Sequence, residues 1–211
     1  MRSGEYKVSF VLPIFEHTKN VLFAGVEMSD LAEKLVALGL DVVSGPMGEG
    51  VRFDLVVAGG IPRRELESRK YFADLSTALA DSGHVAFILP NRFGLSRLFG
   101  AARGGGTKDN PARPASSGAA QSLRNYLRAI RAYGFETIGV YSPIPDIRNP
   151  VVFVPVADAR PFAFLLSYFS DFSTNRSAIA MWIARILIRL GAYKHLMNWY
   201  IIVARKGGAR E

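Results

Sequence analysis

Short apolar runs that end at a glycine or a turn alternate along the chain with stretches whose apolar residues recur at helical spacing. "NVLFAG" (20–25) reads as a strand. "SDLAEKLVALG" follows, with Leu31, Leu35 and Leu38 on one face, Ser29 or Asp30 as N-cap and Gly39 as the stop. "LDVVSG" (40–45) predicts a second strand and "RFDLVVAGG" (52–60) a third. Residues 63–83 read as one helix ending at Gly83, with Phe72, Leu75 and Leu79 inward, and "HVAFILP" (84–90) as a fourth strand. Continuous apolar strands separated by helices predict a mainly parallel sheet covered on both faces, with right-handed crossovers.

Residues 100–120, "GAARGGGTKDNPARPASSGAA", interrupt the pattern. Gly, Pro, Ala and Ser dominate, which predicts a flexible loop, either a lid or a surface insertion, within a single domain spanning 1–211. An amphipathic helix (122–135) stopped by Gly134 comes next, then a strand (135–145) leading into a proline-rich turn. "NPVVFVPV" reads as a short extended piece, 176–196 as a helix and 198–207 as the closing strand.

Composition narrows the chemistry. The chain has 211 residues, 49% hydrophobic and 21% charged, which suits a globular domain with a real core. It contains no cysteine, so disulfides, thiolate metal sites and a cysteine nucleophile are excluded. That fits a reducing compartment, and the expected location is cytoplasmic. No signal peptide is visible, and no run of about 18 apolar residues predicts a transmembrane helix. The net charge of +8 permits nucleic acid, anionic lipid or an acidic partner, on charge alone. His17, His84 and His195 are widely spaced and show no metal-ligand pattern. "GGG" at 104–106 lacks the setting of a phosphate-binding loop.

Several phrases, taken together over roughly residues 18 to 206, resemble the class I S-adenosylmethionine-dependent methyltransferases. They are "FDLVVAGG", "LSTALADSGHVAFILPNR", "LRAIRAYGFETIGVYSPIPD" and "NWYIIVARKG". The resemblance implies a Rossmann-like, mainly parallel α/β sheet with helices on both faces and an antiparallel last strand. It also implies where the cofactor would lie. In that family the first strand ends in an acid and a glycine-rich turn, so that the backbone approaches the cofactor closely. Here the acidic position falls on Phe23, one glycine is kept as Gly25, and the other glycine positions fall on Glu27 and Ser29. The family's ribose-binding carboxylate closes the second strand, whereas this strand ends at Gly45-Pro46. The family's adenine wall comes from a further helix and strand. Only nine residues lie between Val43 and Phe53, too few for the dozen or so of a βαβ crossover, so one strand–helix unit is expected to be missing.

The expectation is therefore a methyltransferase-like domain with a degenerate cofactor site, no cofactor, and a non-catalytic or accessory role beside an active enzyme or a second copy. The alternative is an active divergent methyltransferase that binds S-adenosylmethionine near Gly25, Glu27, Gly45 and Asn91. A basic nucleic-acid-binding module is a third reading. "AGGIPRR" (58–64) and "PNRFG" (90–94) fall at the same sheet edge; each reads as a turn or as an anion-binding segment. Tyr141 and Asp146 lie beside them in "YSPIPD".

Partner docking has its own candidates. Ile179, Trp182, Ile183, Ile186, Leu187 and Leu190 form a stripe suited to packing on the sheet. Met181 and Ile188 lie off it beside Arg185 and Arg189, and the aromatic run 161–172 adds Phe162, Phe164 and Tyr168. This surplus apolar surface predicts a protein partner or homo-oligomer in preference to peripheral membrane contact, because the basic residues do not segregate to one face.

Overall fold

The computed structural model describes residues 18–24, 33, 35–37, 39–47, 50–92, 94, 120–144, 152–170, 186–195 and 197–207, with side chains for all of these but 165–170. The strands are β1 (Asn20–Ala24), β2 (Asp41–Ser44), β3 (Phe53–Gly59), β4 (Leu79–Pro90), β5 (Phe135–Ile144), β6 (Val152–Pro155) and β7 (Trp199–Lys206). Between them lie α1 (Arg63–Leu66), α2 (Arg69–Ala78), α3 (Leu123–Ala132), α4 (Ala159–Ser170) and a 3-10 turn (Ala192–His195).

Among the described residues the strands form one seven-stranded sheet in the order β2-β1-β3-β4-β7-β5-β6. β2, β1, β3 and β4 run parallel to their neighbours, β7 is antiparallel to both β4 and β5, and β6 is antiparallel to β5. This is the expected mixed sheet with an antiparallel last strand. β1 and β3 are central because their side chains are apolar toward both faces, so each burial removes apolar area from water twice over. On one face Leu22, Val56, Phe87 and Ile202 pack under Phe72 and Leu75 of α2 and Tyr126 and Ile130 of α3. On the other, Val21, Phe23, Leu55 and Val57 pack with Leu35 of the helical segment 35–37.

That segment stops where expected. Gly39 has φ +83, its N–H donates to Val36 O at 2.9 Å, and Leu40 N–H donates to Leu35 O at 3.2 Å. A left-handed residue there closes the helix end and turns Leu40 back onto Leu35's cluster. Gly134, φ +84, plays the same part after α3.

Two expected boundaries are corrected. The helix read over 63–83 is two helices, and it ends at Ala78. Ser68 divides them, because its hydroxyl caps α2 by accepting Tyr71 N–H at 3.4 Å. Leu79 is extended, fully buried and paired with Phe53, so the strand starts five residues before the expected His84. Gly83 is not a helix stop. A Cβ there would meet Phe53 O at 2.9 Å and the Ala80 backbone at 3.0 Å, so only glycine fits where β4 bulges back onto β3. The helix read over 176–196 is helical at 186–189, then gives way at Gly191, φ +65, to the 3-10 turn. Residues 100–119 lie outside the described residues.

β2 connects to β3 through residues 45–52 alone, passing the α2 side of the sheet, where Met47 packs against the core. Among the described residues β2 is thus the sheet edge. The helix of 35–37 leads from β1 to β2 on one face, while α2 leads from β3 to β4 on the other. The order in which strands are added therefore reverses between β1 and β3, where an open α/β sheet forms its crevice at the carboxyl ends of the strands.

Candidate functional site

The crevice is bounded by the carboxyl ends of β1, β3, β2 and β4. At the end of β1, Phe23 is 2% exposed and belongs to the core cluster with Val21, Leu35 and Val57. Its carbonyl accepts Gly45 N–H at 3.1 Å, which seals the tip of β2 against β1. Ser44 pairs with Phe23, and space is open around Gly45. Gly25 and Glu27 lie outside the described residues.

At the end of β3, "AGGIPRR" forms a turn. Gly60 has φ +60, Ile61 is buried, and Pro62 leads into α1. Arg63 is exposed and pairs with Glu67 at 2.8 Å, which raises its already high pKa further.

At the end of β4, Asn91 is 1% exposed. Its side-chain amide donates to His195 O at 2.7 Å and to Met197 O at 2.6 Å, and its backbone N–H donates to Asn198 O at 2.9 Å. Both amide protons are spent inside the fold, tying β4 to the chain entering β7. An amide with two donors is suited to bridging two carbonyls left open by an irregular turn. Arg92 is exposed, and its N–H donates to Gln121 O at 3.2 Å.

Sequence reasoning missed the residues that complete this knot. Tyr126 OH donates to Pro90 O at 2.8 Å and accepts Gln121 N–H at 2.9 Å. Tyr200 OH donates to Lys194 O at 2.6 Å, and burial pushes its pKa up. Ser142 Oγ donates to Trp199 O at 3.0 Å. A Cβ on Gly94 would come within 2.8 Å of Asn198 Cα. The helical spacing of Tyr126 marks it as buried, but only the fold gives its hydroxyl a partner.

The tips of β1, β2 and β4 therefore present Ala24, Ser44, Gly45 and Asn91, with no carboxylate among the described residues there. Asp54, at the start of β3, sits at the opposite end of the sheet, where Oδ2 accepts the N–H groups of Lys19 at 2.8 Å and Asn20 at 3.1 Å. Groups of three or more metal-ligating side chains are absent among the described residues. His84 lies on β4 beside Arg205; burial first, and that cation second, lower its pKa. His195 is exposed and contributes its carbonyl to Asn91. The described residues at these tips supply neither the ribose-binding nor the acidic contact in the usual places.

The residues proposed for docking separate into two groups. Phe162 packs against the core and stacks on Tyr193 with centroids 5.4 Å apart, and Ile188 also packs inward. Phe164 is 67% exposed and Arg189 is exposed, whereas Leu190, expected in the stripe packed on the sheet, is 73% exposed, because the helix ends beside it at Gly191. Met181, Arg185 and the Tyr168 side chain lie outside the described residues. Among the described residues no helix is long and apolar enough to cross a membrane.

The fold has counterparts among solved structures. A SAM-dependent methyltransferase from Archaeoglobus fulgidus superposes with a TM-score of 0.52 at 12% identity, over 94% of this chain and 91% of that one. A TehB-like SAM-dependent methyltransferase from Corynebacterium glutamicum gives 0.47 at 12% identity, over 96% and 87%. Phosphoethanolamine N-methyltransferase 2 of Haemonchus contortus, determined with S-adenosyl-L-methionine, gives 0.48 at 14%, over 95% and 53%. No protein-family model matches the chain, and no curated protein matches it closely. The chain has the class I S-adenosylmethionine-dependent methyltransferase fold, in a divergent sequence.

Proposed function

We propose that the chain is a non-catalytic or accessory methyltransferase-fold subunit, whose adenosine crevice has degenerated and which acts by pairing with an active enzyme or with itself. The observation that carries this reading is the direct passage from β2 to β3 through residues 45–52, which leaves β2 as the sheet edge. A cofactor's adenine needs a wall on that side, and a pocket must enclose most of a ligand's surface to hold it. Two features support the same conclusion. Phe23 fills the acidic position with a core side chain, so no carboxylate meets the ligand there. Asn91 keeps its amide protons for the chain's own carbonyls. The exposed Phe164 and Leu190 supply apolar surface for a protein partner.

Calorimetric titration with S-adenosylmethionine and with S-adenosylhomocysteine tests the reading. No heat of binding is expected at micromolar ligand. Micromolar binding would replace this reading with the alternative, an active divergent methyltransferase whose pocket is rebuilt near Gly25, Glu27, Gly45 and Asn91.

A further inference from the structure

The two edges of the sheet are built differently. β6 closes one side and ends in Pro155, whose missing N–H suits an unpaired edge. β2 closes the other with Asp41, Val42, Val43 and Ser44 and has no proline. Asp41 N–H donates to Lys19 O at 2.9 Å and Gly45 N–H to Phe23 O at 3.1 Å. In a parallel ladder the bonding groups alternate, so Val42 and Ser44 turn both N–H and C=O to the open side.

The side chains around this edge are apolar and uncovered. Val42 points to the face of Leu35 and Leu40 and is partly buried there. Val43 points the other way and is 51% exposed. Val51, on the segment returning to β3, and Val36, on the helical segment over the opposite face, are also exposed. An open strand edge flanked by uncovered valines on both faces is a surface for adding a strand.

We infer that the occupant is a second copy of this chain, joined antiparallel through β2 about a two-fold axis at Val43. Self-complementarity argues for it. With the axis at Val43, Val42 stands opposite Ser44 of the second copy, so the outward groups of one strand meet those of the other in hydrogen-bonded pairs. Asp41 then stands opposite Gly45, and no like charges face one another. Val43 meets its own counterpart in the non-hydrogen-bonded position, with Cβ atoms about 5 Å apart. The axis is perpendicular to the sheet, so both 35–37 segments lie on one face side by side, covering Val36. The inference is independent of the cofactor reading.

Because the chain has no cysteine, one introduced thiol reports on this geometry. Sedimentation equilibrium over rising protein concentration is expected to show a monomer–dimer transition. Val43→Lys, on an exposed side chain, should leave thermal unfolding of the monomer unchanged and weaken dimerisation by about tenfold or more through facing like charges. Mild oxidation of Val43→Cys should give a disulfide-linked dimer, whereas Ile138→Cys, equally exposed on β5, should not. A chain that stays monomeric throughout overturns the inference. So does a dimer indifferent to Val43→Lys, which would be a copy docked elsewhere, or cross-linking no better at position 43 than at 138.

Discussion

Replacing Asn91 separates a ligand group from a structural staple. In the fold its amide gives one proton to His195 O and one to Met197 O, at 2.7 and 2.6 Å, from a buried position. Asn91→Ala removes both donors and keeps the backbone N–H bond to Asn198 O. Each carbonyl left without a donor costs about 1–3 kcal/mol, so the pair costs roughly 2–6 kcal/mol, toward the lower end if water enters. With a urea m-value of about 2 kcal/mol/M, the midpoint should fall by roughly 1–3 M with m unchanged. Asn91→Asp keeps the shape but places a carboxylate oxygen against two carbonyl oxygens. At neutral pH it should be the worse of the two variants. Its folded-state pKa is raised, because only the protonated acid can donate. Its stability is therefore highest below the unfolded carboxylate pKa and declines as pH rises through the folded value, a slope the wild type lacks at this position. Urea unfolding of both variants at acidic and neutral pH reads all of this. A variant with the wild-type midpoint, or one whose only defect is weaker binding of S-adenosylmethionine, would refute the reasoning.

Three further outcomes follow from the packing. Gly83→Ala forces a Cβ to 2.9 Å from Phe53 O, and overpacking of this kind should cost about 1–3 kcal/mol in denaturant unfolding; an unchanged midpoint would mean that the bulge relaxes freely. Phe72→Ala removes the ring stacked on Tyr133 at 4.3 Å and tilted against Phe87 and Phe135, and should lower Tm by roughly 10 °C at about 3–5 kcal/mol lost; calorimetry checks it. His84 has a lowered pKa in the fold, so the unfolded chain binds the proton more readily and stability should rise with pH between the folded value and about 6.5. His84→Gln should flatten that part of a stability-versus-pH curve, and an unchanged slope would place the titration elsewhere.

Much of the scaffold was legible because its signals are local. A glycine in the left-handed region ends a helix whatever lies beyond it, and Gly39 and Gly134 do so as read. The apolar run "FDLVVAG" reads as a buried strand and is one, β3, inside the sheet. The helix boundary near Ala78 was not legible, because the apolar period of α2 continues through Leu79. It is Phe53, far back in sequence, that draws Leu79 into the sheet. The candidate site divides the same way. Phe23 in place of an acid is plain from the residues. The role of Asn91 depends on carbonyls more than a hundred residues away.

The sequence alone settled the order of the main strands, the helix stops at Gly39 and Gly134 and a β2–β3 link too short for a helix, because propensity, spacing and chain length are properties of neighbours. Only the tertiary structure decided that β7 lies between β4 and β5, that β6 guards one edge while β2 leaves the other open, and that Asn91 and Tyr126 spend their polar groups on the fold. Those outcomes rest on hydrogen bonds and packing between distant segments, whose partners no local pattern names.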